Sequence, residues 1–104
     1  MIYSRVLSGQ SVSEQFRLEQ NQFPLAIECP SLNPASEVRL QFAQASGGQF
    51  YTLYKSDGSG VPHAVMSGAG PGWGLLSDPV TSWARVSLVG SQSDLRSFGM
   101  HPVR

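Results

Sequence analysis

Turn-forming residues recur at short intervals along the whole chain, and this punctuation limits the possible folds more than any other feature of the sequence. Ser8-Gly9, Asn21, Pro30, Asn33-Pro34, Gly47-Gly48, Asp57-Gly58, the run Gly68 to Gly74, Asp78-Pro79, Gly90 and Gly99 leave no window for several turns of helix. The segments between them alternate in polarity. Val12, Phe16 and Leu18 share one parity, as do Leu25, Ile27 and Cys29, and Ala84, Val86 and Leu88. Successive side chains of a strand point to opposite faces, so each such segment can bury one face only. Alternating segments at a spacing of roughly 8 to 12 residues predict an antiparallel sandwich or barrel.

One stretch resists this reading. In "NPASEVRLQFAQASGG", Asn33 can cap a helix with Pro34 at its first position, and Val38, Phe42 and Ala45 fall on one helical stripe before a glycine stop. As a strand, Val38, Leu40 and Phe42 alternate with Arg39 and Gln41, and Gly47-Gly48 turns the chain into "QFYTLYK", rich in residues that suit a pleated surface. A helix would strand Leu40 on the polar side, so the strand is expected. The capping-box pattern at Ser11 and Glu14 is set aside in the same way, because period two follows it.

Strands are expected near Ile2 to Leu7, Val12 to Leu18, Leu25 to Cys29, Glu37 to Ala45, Gln49 to Lys55, His63 to Met66, Trp83 to Val89 and Leu95 to Val103. Pro102 is tolerable only at an edge or at the very end of a strand. The fold class is therefore all-β. It is a single antiparallel β-sandwich over residues 1–104, jelly-roll or immunoglobulin-like, with about eight strands and little or no helix.

The surface is sparsely charged. Charged residues make up 13% of the 104 residues, against roughly 25% in an average soluble domain. Seven basic and seven acidic side chains cancel, and no basic cluster exists to hold phosphates, so nucleic acid is not an expected partner. Little charge keeps copies apart, which favours a homo-oligomer or another permanent assembly. No apolar run is long enough for a membrane helix, and the amino terminus lacks the pattern of a signal peptide, so a protein made and used in soluble form is expected, with no membrane partner. The single cysteine, Cys29, cannot form an intramolecular disulfide and reads as a small buried hydrophobe at a strand end, which fits cytosolic synthesis.

The sequence nominates no catalytic residue, and no enzymatic role is expected. There is no G-x-S-x-G elbow, and Ser, His and Asp occur without the spacing that would single out a triad. His63 and His101 each adjoin a proline and have no third or fourth ligand assigned to them, so no metal or cofactor is expected. "KSDGSG" resembles part of a calcium loop through Asp57, Gly58 and Ser59, but it lacks the further acidic ligands and reads as a hairpin turn. "GAGPGWG" has no Lys-Ser/Thr pair to cradle phosphate and reads as a glycine-bent loop.

That loop isolates Trp73 between glycines, which makes it the aromatic most suited to exposure: an anchor for a protein contact or a stacking platform for a sugar ring, with Tyr51 or Tyr54 as further stacking surface. Folding back to plug the sandwich is the alternative. Trp83 reads as core or the rim of the core. Arg85 and Arg96 lie in strands at positions facing solvent or a partner, and with Trp73 they form the candidate interface.

The succession "SGQSVSEQFRL", "PLAIECPSL", "VRLQFAQASGGQFYTLYKSDG" and "WARVSLVGSQSDLR", covering Leu7 to Arg104, resembles the small β-sandwich structural proteins of tailed bacteriophages. The resemblance implies a virion component made in the host cytoplasm: a capsid decoration or cement protein, or a neck or tail part. Its partners would be other virion proteins, such as the major capsid, portal, neck or tail proteins. It brings no catalytic residues. A carbohydrate-binding module using Trp73 is the competing expectation.

Overall fold

A computed structural model of the chain describes residues 2–55, 58–77 and 82–103. Its strands are β1 (Ile2–Val6), β2 (Phe16–Leu18), β3 (Leu25–Cys29), β4 (Ser36–Ala43), β5 (Tyr51–Thr52), β6 (Ala64–Gly68), β7 (Gly72–Leu76), β8 (Ser82–Leu88) and β9 (Arg96–Pro102), with one 3-10 turn at Gln20–Gln22. All pairings are antiparallel. A front sheet runs β1-β9-β3-β7 and a back sheet runs β2-β8-β4-β5, with β6 also bound to β4. β5 pairs with Gln41 and Phe42, and β6 with Ser36 to Arg39, both along the edge of β4 opposite β8, so the two share one strand position.

The chain changes sheet at every step from β1 to β4 and again from β6 to β9. This is the order of an eight-stranded jelly roll with one strand broken in two. An immunoglobulin order would put the first two strands in one sheet, which does not occur here.

The inward parity of each expected strand supplies the core. Leu25, Ile27, Cys29, Phe98 and Met100 from the front sheet meet Phe16, Leu18, Val38, Leu40, Ala84, Val86 and Leu88 from the back. The stretch that allowed a helical reading is β4, with Val38 and Leu40 fully buried and Phe42 packed against the same cluster. Pro102 closes β9, opposite Leu25.

Three expectations need correction. The run from Gly68 to Gly74 is not simply a loop, because Gly72 to Leu76 form β7, paired along its length with β3. Its glycines face inward, where β6 crosses beside β7: a β-carbon on Gly74 would lie 2.5 Å from the Val65 carbonyl oxygen, and one on Gly72 3.3 Å from Met66 Sδ. Glycine here permits a close approach of two strands. The strand expected from Val12 is shorter, because Ser13 turns inward: its Oγ accepts a hydrogen bond from Val86 N at 2.8 Å, so a side chain takes the place of a ladder bond. The hairpin arm expected over Gln49 to Lys55 pairs regularly only at Tyr51 and Thr52, after a wider connection than a tight glycine turn. Asp57, Asp78 and Pro79 lie outside the described residues.

A buried glutamine ties one end of the sandwich. Gln92, 1% exposed, accepts hydrogen bonds at Oε1 from Asn33 N (2.9 Å) and Arg96 Nε (3.1 Å), and its Nε2 donates to Pro34 O (3.0 Å). Its carbonyl accepts from Gly9 N at 2.8 Å. Three loops thus meet at one residue, whose side chain and carbonyl satisfy backbone groups that no strand can reach.

Candidate interaction face

The two outer faces of the sandwich differ in chemistry. On the front sheet, register sets Tyr3, Gly99, Glu28 and Trp73 in one row across β1, β9, β3 and β7, with His101, Ala26 and Leu75 in the next. Tyr3 is 67% exposed, Trp73 60% and Leu75 52%. Such a group of large apolar side chains on one sheet face is the kind of patch that marks contact with another molecule.

Trp73 is held rather than loose. Its ring meets that of His101 edge to face, with centroids 5.2 Å apart and planes at 86°. His101 Nε2 is buried and has no hydrogen-bond partner among the described residues, so the ring contact is the interaction this side chain has gained on the face. Gly99 adds no side chain to the row. A β-carbon placed there would lie 3.4 Å from Tyr3 Cε1 and 3.7 Å from Glu28 Cβ, so the Tyr3 ring lies over the glycine on the side of Glu28.

Charge is unevenly matched. Arg5 Nε and Nη2 grip Glu14 at 2.9 and 3.1 Å, Arg17 Nε reaches Glu19 at 3.1 Å, and Arg39 pairs with Glu37. The Arg5 guanidinium, by hydrogen bonding, holds the Glu14 carboxyl below its usual range. Glu28, exposed at the centre of the front face, has no ion pair among the described residues.

The middle of the back face is polar and internally matched, although Tyr51 and Tyr54 are exposed on its hairpin. Arg85 Nε donates to Gln41 Oε1 at 2.7 Å, and its guanidinium lies 4.4 Å from the centre of the Phe50 ring. Gln41 Nε2 in turn donates to Thr52 Oγ1 at 3.4 Å. Trp83, expected in or at the rim of the core, has the outward parity of Arg85 and is half-buried between Arg17 and Ala43 in register. Arg96 begins β9 on its inward parity and is bound by Gln92, so it braces a loop cluster.

Trp73, Arg85 and Arg96 therefore form no common site. Trp73 lies on the front face, Arg85 on the back and Arg96 at the rim. Tyr51 and Tyr54 belong to the back-sheet hairpin, whereas Trp73 lies in the front sheet. Glu28, which sequence patterning did not single out, is the neighbour of Trp73 in register, and Tyr3 stands further along the same row; only the long-range pairing of β1, β9, β3 and β7 reveals them.

His63 and His101 stand on opposite sheets, His63 through its backbone bond to Leu53 O. Among the described residues no three His, Cys, Asp or Glu side chains gather where they could hold a metal ion. Cys29 is buried, and desolvation pushes its thiol up to about 11, which keeps it protonated and unreactive. A cleft of about 440 Å³ at the β4–β5 end is lined by Phe42, Ala45, Tyr51 and Ser82 among others, and none of the described residues in its wall is charged. No family model, curated protein or solved structure matches the chain.

Proposed function

We propose that this chain is a structural component of a tailed-bacteriophage virion, a capsid decoration protein or a neck or tail part, that works by protein contact through its front face. The phage assignment comes from the resemblance in sequence pattern. The contact mode is carried by one observation: Trp73, Tyr3 and Leu75 stand exposed together on a sheet face whose neighbours do not cover them. Covering that patch with a partner removes apolar area from water, and many copies on a symmetric particle would sum modest contacts into a large stabilisation. No catalytic step is assigned to the chain. Mass spectrometry of purified particles should find it in fixed ratio to the major capsid protein. Its absence from particles contradicts the proposal.

A second reading, a carbohydrate-binding module, is favoured by the exposed Trp73 in register with Glu28, a pair that offers stacking and a hydroxyl acceptor. A glycan array separates the two readings: binding that is lost in Trp73→Ala supports the sugar.

A further inference from the structure

We infer that the row Tyr3–Gly99–Glu28–Trp73 is a receptor for an arginine side chain presented by a different protein. The inference rests on the front face being a protein contact and names the chemistry of its partner. Tyr3 and Trp73 lie three strand spacings apart in this row, and the Tyr3 ring reaches over Gly99 toward Glu28. The missing side chain at Gly99 lets the Tyr3 ring settle over the backbone beside Glu28, so that ring and carboxylate adjoin.

Charge complementarity selects the occupant. Glu14, Glu19 and Glu37 each have an arginine partner, whereas Glu28 is exposed and has no cation among the described residues. A carboxylate beside an aromatic ring suits a planar cation. A guanidinium can lay its fork on the carboxylate and its face against an indole or phenol, whereas an ammonium offers a point charge and stacks poorly.

The described part of this chain is a poor source of that arginine. Arg5, Arg17 and Arg39 are held in ion pairs, Arg85 by Gln41 and Phe50, and Arg96 by Gln92. Every arginine among the described residues is already engaged, which points to a heterologous partner rather than a second copy.

The test is an NMR titration of the labelled full chain with N-acetyl-arginine amide, followed at the Trp73 indole N–H and the Glu28 and Gly99 amides. Parallel titrations use N-acetyl-lysine amide and cellohexaose. Saturable shifts confined to this row are expected with the arginine probe, about ten-fold weaker with lysine and about ten-fold weaker in Glu28→Gln. Glu28→Gln keeps hydrogen-bonding atoms and removes only the charge, so binding of a sugar would survive it. Trp73→Phe, which keeps a ring, should retain part of the response, and unchanged amide shifts elsewhere verify that both variants fold.

No response to arginine, a response unchanged in Glu28→Gln, or a response to cellohexaose alone overturns the inference. If the arginine response fails while the chain is still found in particles, the structural role stands without this receptor. If the chain is absent from particles while the response persists, the receptor stands without the virion role.

Discussion

The front and back sheets share one core yet treat their outer faces in opposite ways. On the back, Arg85, Gln41, Thr52 and Phe50 satisfy one another, and Arg39 pairs with Glu37. On the front, Tyr3, Trp73 and Leu75 remain in water, and Glu28 has no cation among the described residues. A self-satisfied face adds to the stability of the isolated chain. An unsatisfied face adds little to it and keeps its interactions for another molecule. Stability and association should therefore respond to different residues.

Substitutions can break or sharpen this division. The largest effect belongs to neither face. Gln92→Ala leaves Asn33 N, Pro34 O and Arg96 without their partner and should cost about 3 kcal/mol, read by urea denaturation. Gly74→Ala forces a methyl group against the Val65 backbone and should cost about 2 kcal/mol, since β7 must move away from β6. On the back face, Arg85→Ala should lower stability by about 1 kcal/mol and leave particle incorporation unchanged. On the front face, Glu28→Gln should change stability by less than about 0.5 kcal/mol and weaken incorporation. If Glu28→Gln destabilised the chain as much as Arg85→Ala, the division between the faces would fail.

Cys29 separates the two kinds of effect, because it lies in the shared core. Its thiol should resist iodoacetamide near pH 8 in the front-face variants and react faster in Gln92→Ala. Its raised pKa also gives a sign. Burial holds the thiol protonated above its ordinary value of 9.0, so its contribution to stability is complete below about pH 9 and is lost as pH rises through about 11.

Much of the sandwich was legible in the sequence because alternation is a local signal. Val38, Leu40 and Phe42, or Ala84, Val86 and Leu88, state their own facing whatever they pair with. β7 was hidden for the converse reason: its inward positions are Gly72 and Gly74 while Trp73 and Leu75 point outward, so its hydrophobic pattern reads as a loop. The glycines there answer to the proximity of β6, a fact of tertiary structure. Trp73 could be suspected of exposure from its glycine neighbours, but Tyr3 and Glu28 could not be joined to it. Their meeting depends on four strands distant in sequence falling into one register. Arg85 and Arg96 looked available for a partner because sequence alone does not show that Gln41, Phe50 and Gln92 come within reach.

The account stands or falls on whether the front face is covered in the assembled state. Hydroxyl-radical footprinting of the free chain and of purified particles, compared residue by residue by mass spectrometry, measures this directly. Oxidation of Trp73 and Tyr3 should fall several-fold in particles while that of Tyr51, exposed on the back sheet, stays near its free value. Equal oxidation of Trp73 and Tyr3 in both states, with protection at Tyr51 instead, would contradict it.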